Sequence, residues 1–199
     1  MKFFRFFFLL LAVVFALPVS FASQPAGQSS SLLQHPKKKQ NSTKANSLFK
    51  SKCGVYFQLP SGVQVVQNDA SKCVIKSSMF SVTFTKRDLF QLNSDRGLWG
   101  EMWKAALELE KSSGVSVLNS SSQPMEKDGL SYTLYSVGND NSGVLYLCDG
   151  DTGAWMTFSS KISNNDSYDL DSTDGKEMLK LSVILSSLDF EHAFEHAVG

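Results

Sequence analysis

Apolar residues recur at every second position from residue 53 onward, which is the period of a strand with one buried face. The apolar face of the first run is formed by Cys53, Val55, Phe57 and Leu59. Four short strands with this alternation are predicted, over residues 53–59, 63–66, 73–76 and 79–86. Turn-forming residues separate them, so the pattern predicts an antiparallel meander with one face against a core.

The apolar period changes to 3.6 residues in the next segment, which predicts an amphipathic helix. Its apolar face is formed by Trp99, Met102, Trp103, Ala106 and Leu109. Ser94 or Asp95 is placed to cap the start of this helix, and Gly114 is placed to end it. We expect the two tryptophans to pack against the sheet as core residues.

The second half of the chain returns to strands before a final helix. Strands are predicted over residues 115–118, 130–137, 143–148 and 154–160. The last two strands form a hairpin, and a polar loop at 164–174 precedes a helix predicted over 176–188. The order of strands, helix, strands and helix predicts an α+β fold built on one antiparallel sheet with two helices.

Three stretches of the chain show the order of its predicted strands and helices most clearly. They are the opening VYFQLPSGVQVV at 55–66, the late hairpin GVLYLCDGDTGAWMTFSS at 143–160 and the closing helix LKLSVILSSLDF at 179–190. Over about residues 52–190 this order and its apolar pattern resemble the PsbP-like superfamily, which includes extrinsic photosystem proteins and DcrB-type periplasmic proteins. The resemblance implies an α/β/α sandwich that binds or assembles with other molecules, usually without catalysis.

The first 22 residues have the pattern of a cleavable export signal. Lys2 and Arg5 precede an apolar run over residues 6–16, and Ala22 precedes the predicted cleavage site. This run is shorter than the roughly 20 residues that a membrane-spanning helix needs. An uncleaved anchor is the alternative. The pattern therefore predicts export to the periplasm or the cell exterior, with no transmembrane span after cleavage.

Charge is divided unevenly along the chain. Residues 23–50 carry five lysines and no acidic residue, and their Ser, Gln, Lys and Asn content predicts a disordered basic linker. Residues 51–199 carry 12 basic and 19 acidic residues, a net charge of −7, which argues against a nucleic-acid partner. We expect one folded domain over 51–190 and a C-terminal tail over 191–199.

The three cysteines permit one intramolecular pair. Cys53 and Cys73 both lie on apolar faces of the same predicted meander, and an oxidising compartment permits disulfides. A Cys53–Cys73 bond would close a loop of about 20 residues and leave Cys148 as a buried thiol or an intermolecular link. The alternative is that all three are reduced thiols that pack as small apolar groups.

The C-terminal tail contains the spacing H-x-x-E-H, formed by His192, Glu195 and His196. Two histidines four residues apart on a helix suit one zinc ion, with the glutamate as general base in inverted zinc peptidases. Such a site also needs an acidic ligand well downstream, and only three residues follow His196. We therefore expect no catalytic metal here, only weak candidate ligands or the frayed end of the last helix.

Acidic residues crowd the polar loop before the last helix. They are Asp166, Asp169, Asp171 and Asp174. Their spacing misses the register of an EF-hand loop, so we expect no cofactor, and calcium binding by this loop stays an open alternative.

The predicted domain lacks the sequence patterns of common enzymes. It contains no phosphate-binding glycine loop, no nucleophile elbow and no histidine between residues 51 and 190. We expect a monomeric, non-enzymatic binding or assembly protein with an unidentified protein partner in the cell envelope. The alternative is a carrier of a small apolar ligand or lipid, in a cavity between helix and sheet lined by Trp99, Trp103 and Trp155.

Overall fold

The computed structural model describes residues 48–114, 118–139, 141–162 and 169–192. The strands in these segments are β1 Phe49–Lys50, β2 Val55–Phe57, β3 Gln64–Asn68, β4 Cys73–Lys76, β5 Phe80–Asp88, β6 Asn119–Lys127, β7 Leu130–Gly138, β8 Ser142–Asp149, β9 Thr152–Ser160 and β10 Asp189–Phe190. The helices are α1 Asp95–Ser113 and α2 Thr173–Ser186, and a 3-10 turn spans Phe90–Leu92. The predicted α+β class is confirmed. The predicted export signal and residues 193–199 lie outside the described residues.

Seven strands form one antiparallel sheet in the order β3-β4-β5-β9-β8-β7-β6. After β5 the chain passes through α1 and enters the sheet at its far edge as β6. It then returns strand by strand until β9 pairs with β5, from Phe80 opposite Ser160 to Asp88 opposite Thr152. The two halves of the chain therefore meet in the middle of the sheet.

The large sheet separates two hydrophobic cores, because successive strand residues point to opposite faces. The first core contains Val82 and Met156 from the sheet, and Leu181 and Ile184 from α2. The second core contains Met102 from α1 together with alternate residues of β8. The two helices therefore lie on opposite faces of the sheet.

β2 does not join the large sheet, contrary to the single meander expected from the alternation. It pairs with β1, where Phe57 lies opposite Phe49, and with β10, where Val55 lies opposite Phe190. This three-stranded sheet covers the first core, and the ring of Phe57 stacks on that of Phe84 with centroids 4.4 Å apart. Alternation indicates that one strand face is buried, but it does not identify the hydrogen-bonded neighbour. β1 contains the last two residues of the predicted linker.

β6 is a nine-residue strand that the apolar pattern does not predict. Residues 115–117 of the strand predicted at 115–118 lie outside the described residues, and the described strand, which begins at Asn119, consists mostly of polar residues. β6 is an edge strand, so one side of its backbone needs no partner and Pro124 is tolerated. Asp128 and Gly129, with φ values of 53° and 78°, make the tight turn into β7.

Local capping accounts for the C-terminal end of α1 and for the start of α2. α1 begins at Asp95, and the Ser94 side chain before it makes no capping hydrogen bond, whereas the helix ends as predicted before Gly114, whose φ is 74° and whose N–H donates to the carbonyl of Glu110. α2 begins three residues earlier than predicted, because the Ser172 side chain accepts a hydrogen bond from the N–H of Gly175 at 3.0 Å. Within the described segments, no helix combines the length and apolar character needed to cross a bilayer.

Candidate binding site

A cavity of about 460 Å³ opens at one end of the large sheet. Three segments meet there: the turn between β4 and β5, the end of β9, and the last turn of α1. We call it the serine–lysine cavity, and its lining is Lys76, Ser77, Ser78, Met79, Phe80, Ser81, Ser112, Ser113, Ser159, Ser160 and Lys161. Its volume lies within the range of about 300–1,000 Å³ that is usual for small-molecule sites.

Backbone hydrogen bonds hold the rim of the serine–lysine cavity in place. The Ser77 hydroxyl accepts from the N–H groups of Met79 and Phe80, both at 3.1 Å, which closes the turn into β5. The N–H of Lys161 donates to the carbonyl of Met79 at 2.8 Å and so joins this turn to the end of β9. The two lysine-bearing rims are therefore fixed relative to each other.

The last turn of α1 forms the third wall. Ser112 donates to the carbonyl of Leu109 at 2.8 Å, so part of the partial negative charge at the helix end is neutralised by a hydroxyl. The Ser113 and Ser142 hydroxyls lie 3.4 Å apart, which links this turn to the start of β8. These contacts position serine hydroxyls around the opening.

The charge of the described lining is positive, because it contains Lys76 and Lys161 and no acidic residue. Neither lysine has an ion-pair partner among the described residues. The nearby carboxylate of Glu177, whose hydrogen bond with Ser77 contributes to its lowered pKa, is paired with Lys180 at 2.6 Å. Two lysine ammonium groups and several hydroxyls are thus available to an anionic, hydrogen-bonding ligand.

A strip of hydroxyl groups continues from the cavity along the same sheet face. Ser81 lies opposite Ser159, and Thr83 lies opposite Thr157, on adjacent strands β5 and β9. These side chains are half-buried, and the next hydroxyl in the row, Thr85 Oγ1, is buried with no hydrogen-bond partner in the described segments. On β5 and β9, the part of this sheet face that α1 leaves uncovered is therefore polar.

The three predicted ligand-lining tryptophans belong to the second core. Trp155 is buried there, and Trp99 and Trp103 are partly buried against the same cluster. Trp99 meets Tyr135 edge to face with centroids 5.6 Å apart, and the Arg87 guanidinium lies 4.9 Å from the Trp155 ring. None of the three lines the serine–lysine cavity.

His192 lies in a cluster of hydrogen-bonding and carboxylate groups. Its Nε2 is 3.2 Å from the Tyr132 hydroxyl and 3.6 Å from Asp189, while its Nδ1 is 3.5 Å from Asp149. Burial, followed by the charges of Asp189 and Asp149, raises the pKa of Tyr132 to about 12, so this phenol is not activated as a base. The other two members of the H-x-x-E-H spacing, Glu195 and His196, lie outside the described residues.

The structure describes the acidic loop only from residue 169 onward, so Asp166 lies outside the described residues. Asp169 accepts a hydrogen bond from the N–H of Asp171 at 3.0 Å and from the Ser172 hydroxyl through its carbonyl. These contacts form the turn into α2. The described residues contain no group of three His, Cys, Asp or Glu side chains that could hold a metal ion.

The three cysteines are buried free thiols. Cys53 and Cys73 lie in the first core, and Cys148 lies in the second. Burial is the main reason that the pKa values of Cys73 and Cys148 are raised to about 11, so both thiols are protonated at neutral pH. This state suits packing better than nucleophilic catalysis.

Comparisons with known proteins do not assign this chain to a family. No family model matches it, and no curated protein matches it. A solved structure of a protein from Bacteroides thetaiotaomicron VPI-5482 is similar at 9% identity with a TM-score of 0.34, over 74% of this chain and 49% of that one. The chain thus spans about half the length of that protein.

The residues of the serine–lysine cavity were not predicted as a site from the sequence. In retrospect, lysine is adjacent to a serine pair at Lys76-Ser77-Ser78, Lys111-Ser112-Ser113 and Ser159-Ser160-Lys161. The fold brings the serines of all three triplets to one cavity. Each triplet alone is typical of a solvated strand end or helix end. Only the meeting of the three triplets in the fold indicates a binding site.

Proposed function

We propose that this chain is an exported, non-enzymatic binding protein that holds a small anionic ligand in the serine–lysine cavity. The observation that carries the proposal is the lining itself. Lys76 and Lys161 stand without acidic partners in the described segments, beside hydroxyls that both donate and accept hydrogen bonds. Charge-assisted hydrogen bonds to such a ligand are stronger than neutral ones.

A binding role is also supported by the state of the reactive side chains. The described thiols are buried, two of them with raised pKa values, and His192 is enclosed by Tyr132 and two carboxylates. None of these groups belongs to the cavity lining. The described lining offers lysines and serines, and the neighbouring carboxylate of Glu177 is paired with Lys180 at 2.6 Å, which favours binding over covalent catalysis.

The PsbP-like fold and the export belong to the same proposal. The fold is supported by the order of the elements and by the two helices on opposite faces of the large sheet. Export is supported by the pattern of residues 1–22. A periplasmic or extracellular protein is exposed to small charged solutes, and the volume of the serine–lysine cavity suits a solute of that size.

The ligand is predicted to require both lysines. Lys76→Gln/Lys161→Gln should weaken binding of D-glucuronate or sulfate by about a hundredfold or more, because two charge-assisted hydrogen bonds are lost and each contributes about 1.5–3 kcal/mol. Isothermal titration calorimetry on the full chain measures this. Neutral D-glucose, which matches glucuronate in size but not in charge, should bind much more weakly than glucuronate.

Lys104→Gln is the matched control, since Lys104 is an exposed lysine on α1 outside the cavity. It should bind both anions as the native chain does. Failure of both anions to bind the native chain, or equal loss of affinity in the control, would contradict the proposal. Native mass spectrometry of the protein from its exporting host separates the remaining outcomes, because a co-purified protein would instead support a partner-binding role.

A further inference from the structure

The large sheet divides the three thiols into two groups. Cys53 and Cys73 are 6% and 0% exposed in the first core, whereas Cys148 is 3% exposed in the second core on the opposite face. A bond from Cys148 to either of the others would have to pass through the hydrogen-bonded sheet. Of the three possible pairs, only Cys53 and Cys73 share a side.

Cys53 and Cys73 both lie next to Phe84 on β5. The Cys53 thiol donates to the carbonyl oxygen of Phe84 at 3.7 Å. Cys73 lies directly opposite Phe84 in the β4–β5 ladder. Opposed residues in an antiparallel pair have Cα atoms about 4.5–5.5 Å apart, so Cys53 and Cys73 are both neighbours of this one residue of β5. A disulfide between them requires their Cα atoms to lie about 4.4–6.8 Å apart.

The electrostatics agree with this proximity. After burial, the next cause of the raised pKa of Cys73, which is about 11, is the charge that Cys53 carries when ionised. The Ser51 hydroxyl also lies 3.1 Å from the Cys53 sulfur and fixes its side chain in the first core. The two thiols are therefore held on the same side of the same strand pair.

We propose that Cys53 and Cys73 form an intramolecular disulfide that fastens the small sheet to the large one. Cys53 precedes β2 of the small sheet by two residues, and Cys73 begins β4 of the large sheet. The bond closes a short loop in the unfolded chain and lowers its conformational entropy. It should raise the thermal midpoint by about 5–10 °C. Cys148 stays a buried thiol.

The bond forms by thiol–disulfide exchange with an oxidised disulfide compound. The thiolate of one cysteine attacks a sulfur of that compound, which gives a mixed disulfide and releases one thiol. The second cysteine thiolate then attacks the protein sulfur of the mixed disulfide and releases the other thiol. Two S–H bonds break, one S–S bond forms, and two electrons and two protons reduce the compound to two thiols.

Oxidation of the two cysteines should be coupled to folding. In the folded chain burial keeps the thiol of Cys73 protonated and away from solvent, so exchange is slow. During folding the same thiols are exposed and reach the oxidant. The bond should therefore form efficiently when the denatured, reduced chain refolds in the presence of oxidised glutathione, and slowly when the folded, reduced protein is given the same reagent.

The test is to refold the reduced full chain in a mixture of reduced and oxidised glutathione and then to alkylate it in denaturant. The expected product loses two hydrogens relative to the reduced chain and takes up one alkyl group. Peptide mapping should place that group on Cys148 and a cross-link between Cys53 and Cys73. Three alkylated cysteines, or a cross-link that includes Cys148, would overturn the proposal.

Two variants separate the bond from a packing effect. Cys148→Ser should keep the cross-link and lose the alkylated thiol. Cys53→Ser should lose the cross-link, and its thermal midpoint should no longer change when reductant is added. If either variant fails to fold, peptide mapping of the native chain still decides the pairing. A native thermal midpoint that does not fall on reduction would contradict the fastening role.

Discussion

At the scale of single residues, Glu177 is a buried charged residue whose ionisation should contribute to stability. Its side chain on α2 is 6% exposed, and Oε1 accepts a hydrogen bond from Lys180 at 2.6 Å. Burial by itself would raise the pKa of this carboxyl group, but hydrogen bonds from Lys180 and Ser77 and the Lys180 charge outweigh it, so the pKa is lowered. The carboxylate is therefore the form that the fold stabilises.

Glu177→Gln should change the pH dependence of stability. In the native chain the unfolded state takes up a proton first as pH falls below about 4.3, because the folded pKa is the lower one. The stabilisation is therefore present at neutral pH and is lost on acidification. The variant should be about 1 kcal/mol less stable at pH 7, and this difference should shrink towards pH 3.

Urea unfolding at a series of pH values measures this effect. Glu108→Gln provides the control, since Glu108 is an exposed glutamate on the outer surface of α1. A constant difference between Glu177→Gln and the native chain from pH 7 to pH 3 would show that the carboxylate charge does not contribute.

At the scale of elements, α1 contains two glycines in opposite surroundings. A methyl group at Gly97 would collide with the backbone carbonyl of Leu92, where the 3-10 turn approaches the helix. A methyl group at Gly100 would meet nothing within 4 Å. Gly97 is therefore required by the close approach of backbone, whereas Gly100 only weakens the helix.

Alanine substitutions at these two positions should have opposite effects. Gly100→Ala should raise the free energy of unfolding by about 0.5–1 kcal/mol, because alanine is the better helix former. Gly97→Ala should lower it by about 1–3 kcal/mol, because the turn before α1 must shift. Denaturant unfolding measures both, and equal shifts in the same direction would contradict the packing described at the start of α1.

The sequence predicts elements well where one face is strongly apolar. The alternation in β5 and the 3.6-residue period of α1 correspond to described elements, and Gly114 ends the helix as predicted. β6 is different, because an edge strand of serines carries almost no apolar period. The pairing of β2 with β10 also escapes local analysis, because the two strands are more than 130 residues apart. The period of the apolar residues shows that one face of a strand is buried, but it does not show which strand lies beside it.

At the scale of the whole molecule, the serine–lysine cavity exists only because three distant segments converge. Residues 76–81, 112–113 and 159–161 meet through the β5–β9 pairing and through the packing of α1 on the sheet. The sequence shows the three lysine and serine triplets, but their meeting depends on the order of the sheet. Trp99 and Trp103 pack against the second core, as expected from the sequence, and Trp155 lies in the same core.

Binding of a small anion in the serine–lysine cavity can be followed residue by residue with nuclear magnetic resonance. The ¹⁵N-labelled full chain is titrated with D-glucuronate and, separately, with D-glucose. We predict that glucuronate shifts the amide signals of residues 76–81, 112–113 and 159–161, and that glucose at the same concentration leaves them nearly unchanged. Shifts centred on Trp99, Trp103 and Trp155, or no saturable shift with glucuronate, would contradict the account.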